Sequence, residues 1–133
     1  MNYFSRSSKN KLMSCHDDLQ KVAMLAIMIS EVDFGISCGY RSPERQSELY
    51  AQGRTEPGKI VTYRDGYNKK SKHNHVLALA FDVYAWIDGR ANWNPEYYHK
   101  ISEAIKLSAD TFDIKIKWGG DWQSFKDYPH FEI

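Results

Sequence analysis

The sequence predicts an α+β fold in which helices flank a small antiparallel sheet, within a single domain covering residues 1–133. Apolar residues recur at helical spacing around residues 17–30 and 95–108, whereas residues 32–40 and 114–118 alternate in the manner of strands. Helices and strands do not alternate regularly along the chain, which disfavours a parallel α/β sheet. A length of 133 residues with 42% hydrophobic residues is enough for one core.

The first two predicted helices have recognisable starts. Residues 5–8 are rich in serine, whose hydroxyl caps helix N-termini, and a short helix containing Leu12 is expected after them. Asp17 and Asp18 place negative charge where the dipole of a second helix favours it. Apolar residues continue at helical spacing to about Ser30, so this helix is expected to be well buried.

The third and fourth predicted helices each begin at a capping residue followed by proline. Ser42 precedes Pro43, and Asn94 precedes Pro95. Ser42 is a favourable N-cap and Pro43 is well tolerated at the first helical position, and the run Asn94-Pro95-Glu96 likewise predicts a helix start. Gly53 supplies a natural C-terminal stop, so the third helix is expected to be short.

Two further strands are predicted after a long loop. Residues 54–70 contain proline, glycine and many polar side chains, and loops of this length in small domains are often functional. Residues 76–86 are strongly apolar and predict the central strand, which a turn at Asp88 and Gly89 ends. Residues 128–133 predict a last strand that closes the chain.

Composition and charge disfavour several classes of function. The net charge of +1 gives no electrostatic signature of a nucleic-acid-binding protein, although Lys69, Lys70 and Lys72 form a local basic face. The most apolar run, residues 22–29, is too short to span a bilayer, so no membrane insertion is expected. Residues 1–11 are polar and lack the apolar centre of a signal peptide, so synthesis in the cytoplasm is expected.

The two cysteines, Cys15 and Cys38, do not form a Cys-x-x-Cys pair. This spacing disfavours a thiolate zinc site and thioredoxin-like redox chemistry. Both side chains are expected to be reduced and to pack as small apolar groups, and a single disulfide between them is the alternative.

Two histidines and a carboxylate lie close together where a polar loop enters the predicted central strand. His73 and His75 precede the apolar run, and Asp82 lies within it. A third ligand candidate is His130, next to an aromatic residue at the start of the last strand. Two histidines and one carboxylate leave a fourth coordination position open, which is the arrangement of catalytic rather than structural zinc.

Two other residues are candidates for the chemistry of such a site. Metal binding lowers the pKa of water, but a general base is still needed to take its proton. Asp127 lies three residues before His130 and is the candidate base. Arg41, between a predicted strand and a predicted helix, is the candidate for stabilising an oxyanion or holding a substrate carboxylate. A plain salt bridge is the alternative role for this arginine.

Several motifs resemble, in the same order along the chain, those of LAS-type zinc peptidases. This family includes phage L-alanyl-D-glutamate endolysins and D-alanyl-D-alanine carboxypeptidases. The residues that carry the resemblance are Ser71-x-His73, Ala80-x-Asp82, Trp118-Gly119-Gly120-Asp121-Trp122, Asp127-x-x-His130-Phe131-Glu132 and the stretch 39–55. The short length and the polar N-terminal segment resemble the phage endolysins most closely.

The resemblance implies a hedgehog/D-Ala-D-Ala-peptidase-like fold and a zinc ion (Zn2+) held by a histidine, Asp82 and His130. It implies Asp127 as the catalytic base and Arg41 as an anion-stabilising group in the substrate cleft. The supporting cleft residues implied in the same way are Gln46 and Ser71.

The first histidine ligand stays open between two alternatives. The common family pattern is Ser-x-His-x-x-Gly-x-Ala-x-Asp, with seven positions from the histidine to the aspartate. His75 keeps that spacing to Asp82, but His73 keeps the serine, Ser71, two positions before it. Some family members resemble this longer form, so His73 is preferred and His75 is the alternative. Ala78 replaces the family's glycine in either alignment.

The resemblance implies hydrolysis of the peptidoglycan stem peptide, with the L-alanyl-D-glutamate bond as the expected target. A D-alanyl-D-alanine carboxypeptidase is the nearest alternative, and a non-catalytic wall-binding module on the same fold is the alternative from another class. The expected partner is the stem peptide, and the expected state is a monomer. An endolysin made in the host cytoplasm needs a release step, such as a holin-type pore, to reach the wall in the periplasm.

Overall fold

The computed structural model describes residues 1–133 and contains four α-helices and five β-strands. In chain order, the elements are α1 (Arg6–Met13), α2 (Asp17–Ile29), β1 (Phe34–Cys38), α3 (Pro43–Ala51), β2 (Ala80–Ile87), β3 (Arg90–Asn92), α4 (Pro95–Thr111), β4 (Lys117–Trp118) and β5 (His130–Glu132). Two short 3-10 turns, Lys72–Asn74 and Gly119–Asp121, precede β2 and follow β4. Helices around an antiparallel sheet confirm the predicted α+β class.

β2 is the central strand of the sheet. β1 pairs antiparallel with one edge of β2, while β5 and β3 pair antiparallel with successive halves of the other edge. β4 extends the sheet beyond β5. Side chains from distant parts of the sequence therefore meet along the eight residues of β2.

The two faces of β2 have different surroundings. Val83 and Ala85 are fully buried in the hydrophobic core, to which α2 and α4 contribute their apolar sides. Because side chains alternate along a strand, Asp82, Tyr84 and Trp86 project from the opposite face. One face therefore holds the sheet against the helices, and the other carries polar and aromatic groups that remain partly exposed.

β2 begins at Ala80, later than the predicted start at residue 76. The backbone N–H of Ala78 donates to the carbonyl of Ser14, and the N–H of His16 donates to the carbonyl of Ala78. These bonds, 3.0 and 2.9 Å long, pair the segment with the connection between α1 and α2 instead of with the sheet. The predicted buried strand from residue 76 is therefore wrong in its first part: Val76 is 84% exposed and Leu77 is 43% exposed, and the sheet begins only at Ala80.

The other strands are shorter than the sequence predicted, and one was not predicted. β1 is interrupted by a register shift between Ile36 and Cys38, so its pairing ends before residue 40. β4 contains two residues rather than the predicted segment 114–118. The predicted turn at Asp88 and Gly89 leads into β3, whose three residues are too few to give a strand pattern in the sequence.

The predicted helix starts are confirmed by side-chain caps. The hydroxyl of Ser5 accepts from the N–H of Ser8 and caps α1, and the hydroxyl of Ser42 caps α3. Asn94 caps α4 through its side-chain oxygen. α2 is capped by His16, whose ring nitrogen Nδ1 accepts from the N–H of Asp18 at 3.0 Å. None of the helices combines the length and apolar character needed to cross a bilayer.

Tyr98 is a buried link between the main helix and the sheet. Its hydroxyl accepts from the N–H of Ala85 at 3.1 Å and donates to the carbonyl of Asn92 at 2.9 Å. The phenolic oxygen therefore connects α4 to both β2 and the end of β3.

We expect Tyr98→Phe to lower the free energy of unfolding by about 1–3 kcal/mol, because two backbone groups lose their partner in a buried setting. The measurement is urea denaturation followed by circular dichroism. Tyr97→Phe, one position earlier on the same helix, is the matched control and is expected to change little. Equal stability of the two variants would contradict the role given to the Tyr98 hydroxyl.

Candidate active site

Three donor atoms from distant parts of the chain form a nearly equilateral triangle. Nε2 of His73 lies 3.2 Å from Oδ1 of Asp82 and 3.3 Å from Nδ1 of His130. Nδ1 of His130 lies 3.1 Å from the same Asp82 oxygen. All three atoms therefore point at one another rather than away into solvent or core.

The size of this triangle fits a zinc ion. Zinc binds imidazole nitrogen and carboxylate oxygen at about 2.0–2.1 Å in tetrahedral geometry, which places two ligand atoms about 3.3–3.4 Å apart. The measured separations of 3.1–3.3 Å are close to that spacing. Two imidazoles and one carboxylate are also the donor set of catalytic zinc sites that keep a position open for water.

His73 is fixed by the turn that carries it. The hydroxyl of Ser71 accepts from the His73 N–H at 3.2 Å, and the side-chain oxygen of Asn74 accepts from the Ser71 N–H at 2.7 Å. On the ring, the Nδ1–H of His73 donates to the carbonyl of Gly39 at 2.8 Å. This bond leaves Nε2 as the nitrogen that faces Asp82. Ser71 therefore acts on the site by holding the histidine turn.

Asp82 and His130 face each other across the pairing of β2 with β5. His130 donates from Nε2 to the carboxylate of Glu132 at 2.8 Å, so its Nδ1 is the nitrogen directed at Asp82. The two histidines thus present different ring nitrogens to the same point. In each case the other nitrogen is held by an oxygen acceptor, an arrangement that fixes ring orientation at metal sites.

The charges of the triangle are strongly coupled. Burial opposes protonation of His73, but the Asp82 carboxylate outweighs it and raises the pKa of His73 to about 10. Burial likewise opposes protonation of His130, while Asp82 and Glu132 raise its pKa to about 9. Burial alone would raise the pKa of Asp82, yet the two imidazoles hold it well below its usual range. A bound cation would take the place of the ring protons between the same atoms.

Asp127 lies beside the triangle. One of its carboxylate oxygens is within 4.8 Å of donor atoms of Asp82 and His130. Burial raises the pKa of Asp127, and the nearby Asp82 charge raises it further. Its backbone is held by Gly119, whose carbonyl accepts from the Asp127 N–H at 3.1 Å. A side chain at Gly119 would collide with the Asp127 carbonyl, so this glycine is what lets the two segments approach.

Arg41 contacts Oδ2 of Asp82, the carboxylate oxygen that is not part of the triangle. Its Nη2 lies 3.3 Å from Oδ2 of Asp82, and its Nη1 donates to Oε1 of Gln46 at 2.9 Å. Gln46 is fully buried and donates in turn to Thr62 and to the carbonyl of Arg64. Gln46 therefore connects the arginine to the long loop, while the guanidinium still lines the cleft.

The triangle lies in a cleft of about 680 Å³. The long loop, residues 54–70, supplies part of one wall, as its length suggested. Tyr63 of this loop makes an edge contact with Phe125 at a ring-centroid distance of 4.8 Å, which joins the loop to the segment before β5. The cationic side chains that line the cleft are Arg41, Arg64, Lys70 and Lys72. Such a wall favours an anionic ligand.

A model of the phage L-alanyl-D-glutamate peptidase family matches residues 1–133. The chain belongs to this family. The peptidoglycan L-alanyl-D-glutamate endopeptidase CwlK of Bacillus subtilis (strain 168) is 41% identical over 105 residues, which cover 77% of this chain and 61% of that protein. The chain therefore corresponds to less than two thirds of this relative's length.

Two other relatives are covered almost completely. The L-alanyl-D-glutamate peptidase of Escherichia phage T5 is 29% identical over 131 residues, covering 98% of this chain and 88% of that protein. The crystal structure of the Serratia marcescens L-Ala D-Glu endopeptidase ChiX has a TM-score of 0.82 and 32% identity, covering all of this chain and 90% of that one. The fold of this member of the phage L-alanyl-D-glutamate peptidase family is thus that of a solved endopeptidase.

Cys38 is close to the site, and sequence reasoning gave it no role. Its Sγ lies 3.8 Å from Nδ1 of His73 and 3.5 Å from Nη2 of Arg41. Together with His73 and Asp82 it forms a second group of possible metal donors within 4.8 Å. Both Cys38 and the buried Cys15 are free thiols. No motif marks Cys38, because its proximity depends on the register shift in β1.

The structure separates the two histidines that the sequence left as alternatives. His73 is 2% exposed and belongs to the triangle. His75 is exposed and lines the cleft, but it is not among the groups whose donor atoms meet. The geometry favours His73.

We expect His73→Ala to lose stoichiometric zinc and His75→Ala to keep it, because the triangle needs the buried ring. The loss of affinity should exceed the roughly 10–100-fold cost of removing an outer hydrogen-bond partner. The measurement is zinc content of the purified protein after dialysis, with circular dichroism to show that both variants are folded. Loss of zinc from His75→Ala alone would assign the ligand to His75.

Proposed function

We propose that this chain is a zinc-dependent peptidase that hydrolyses the stem peptide of peptidoglycan, most directly at the L-alanyl-D-glutamate bond. The observation that carries the proposal is the triangle of His73, Asp82 and His130 with Asp127 beside it, in a cleft with a cationic wall. Membership of the family and the names of its relatives support the same reaction. We propose that residues 1–133 form one catalytic domain, acting as a monomer.

His73, Asp82 and His130 would hold the zinc ion. When bound, zinc supplies Lewis acidity, which lowers the pKa of water and polarises a peptide carbonyl. Asp127 accepts the proton of the attacking water and delivers it to the leaving amine. Burial suits Asp127 to take the proton, because a carboxylate with a raised pKa is a stronger base than an ordinary one.

Arg41 combines the two roles that the sequence left open. One guanidinium nitrogen contacts Oδ2 of Asp82 and keeps Oδ1 directed at the histidines. The guanidinium also lines the cleft, where it faces the charge that develops on a carbonyl oxygen under attack. Gln46 holds the arginine for both purposes and is therefore a positioning residue.

The cationic wall suits the acidic stem peptide. Arg64, Lys70 and Lys72 line the cleft together with the zinc-binding side. The stem carries free carboxylates, which attract these side chains and orient the scissile bond. A net charge of +1 for the whole chain agrees with a local recognition surface rather than with a nucleic-acid partner. We place the action at the cell wall, after release from the cytoplasm.

The experiment that tests this proposal is mass spectrometry of digested peptidoglycan. An endopeptidase of the proposed specificity creates new N-terminal D-glutamate, whereas a D-alanyl-D-alanine carboxypeptidase releases free D-alanine. Chelation is expected to abolish hydrolysis, and added zinc to restore it. Full activity of demonstrably zinc-free protein would refute the metal mechanism, and binding without any cleavage would point to a wall-binding module.

We expect Asp127→Asn to keep its zinc and lose activity by about 10²–10⁴-fold, because the amide cannot take the proton of the attacking water. The readouts are zinc content and the rate of stem-peptide cleavage. Asp121→Asn is the matched control, since Asp121 is exposed and pairs with Lys106 at 2.6 Å. A fast Asp127→Asn enzyme would remove Asp127 from the role of base.

A further inference from the structure

A second groove, of about 320 Å³, lies at the start of α1 beside β1 and β2. Its walls include four aromatic side chains, Tyr3, Phe34, Tyr84 and Trp86, together with the carboxylate of Asp33. Tyr3 is 75% exposed and Trp86 is 44% exposed. The proposed peptidase reaction uses none of these residues. A groove that exposes this much aromatic surface needs an explanation, because aromatic side chains are usually buried.

Two aromatic residues of the groove, Tyr84 and Trp86, are held by neighbouring groups. Tyr84 and Trp86 make an edge contact with ring centroids 6.1 Å apart. The Trp86 N–H donates to the Asp33 carbonyl at 2.8 Å, which joins two walls of the groove through the backbone. Any side chain at Gly35 would occupy the space of the Tyr84 ring, so this glycine lets the ring lie over β1. The surface is therefore preorganised rather than formed by mobile side chains.

The groove continues the face of the sheet that carries the metal-binding aspartate. Asp82, Tyr84 and Trp86 occupy alternate positions of β2 and project from the same face. At roughly 3.4 Å per residue, Trp86 lies about 14 Å along the strand from Asp82. A ligand that reaches from the groove to the cleft therefore needs the length of about four extended amino-acid residues, or a comparable length of sugar chain.

The chemistry of the groove differs from that of the cleft. No lysine, arginine or histidine lines it, and its one charged side chain is the carboxylate of Asp33. Burial raises the pKa of this carboxyl, and hydroxyls of Ser5 and Ser8 line the same space. An anionic stem peptide would be repelled here. A neutral ligand with hydroxyl and amide groups on apolar ring faces fits the combination of aromatic surface and acceptors.

We propose that this groove binds the glycan strand of peptidoglycan, with Trp86 and Tyr84 against the sugar faces and Asp33 accepting from sugar hydroxyl or N-acetyl N–H groups. The choice of glycan rests on the proposed function, since the glycan is the neutral part of that substrate. The groove then anchors the strand while the attached stem peptide reaches the cleft. Glycan binding itself needs neither zinc nor the catalytic base.

The direct test is titration of the metal-free protein with a β-1,4-linked N-acetylglucosamine tetramer, followed by proton–nitrogen NMR. The indole signal of Trp86 and the amides of β1 and β2 are expected to shift, while the indole signal of the buried Trp118 stays in place. Trp86→Ala should weaken binding roughly five- to tenfold. Absence of shifts, or shifts confined to the cleft, would overturn the proposal.

A kinetic comparison separates this proposal from the proposed reaction. Trp86→Ala is expected to raise KM for intact peptidoglycan roughly five- to tenfold while leaving cleavage of a sugar-free stem peptide unchanged. Trp93→Ala is the matched control, because Trp93 is 59% exposed and lines neither the groove nor the cleft. Equal kinetics of Trp86→Ala and wild type on intact peptidoglycan would overturn the glycan site. Failure of the wild type to cleave either substrate would instead overturn the reaction.

Discussion

The pairing of β2 with β5 is the constraint on which the candidate site depends. This register places Asp82 opposite His130, although the two residues are far apart in the sequence. A slip of one residue would turn one of the two side chains to the core face, because side chains alternate along a strand. Phe81 and Phe131, paired in the same register, are fully buried and fix it through the core. Core packing and site geometry are thus two results of one strand pairing.

The electrostatics of the site follow from the central carboxylate. A partly buried charge is costly unless it has partners, and Asp82 has three: two imidazoles and the Arg41 guanidinium. The partners are themselves supported by Gly39, Glu132 and Gln46, so the network extends into the backbone and the long loop. Each support therefore fixes the orientation of one side chain in contact with Asp82.

Structural features that depend on interactions between neighbouring residues, such as helix starts, were predicted correctly from the sequence. Capping residues such as Ser42 and Asn94 gave helix starts correctly, because each cap depends on its own following turn. Strand ends were predicted less well. Ala78 forms its backbone hydrogen bonds with the connection between α1 and α2 rather than with the sheet, and β2 begins only at Ala80. The ligand candidates were named from motifs, but the choice between His73 and His75 depends on the turn held by Ser71. Arg41 was also named from the sequence, whereas the proximity of Cys38 to the site depends on the pairing of β1 with β2, and no motif marks it.

The two histidines offer opposite ring nitrogens, Nε2 from His73 and Nδ1 from His130. The donor nitrogen therefore lies at a different distance from the backbone in the two side chains. The amide of glutamine extends to the position of an imidazole Nε2, and the shorter amide of asparagine reaches only that of Nδ1. Glutamine is thus the nearest neutral mimic at one site and asparagine at the other. The single substitution that best keeps the position of the donor atom therefore differs between the two histidines.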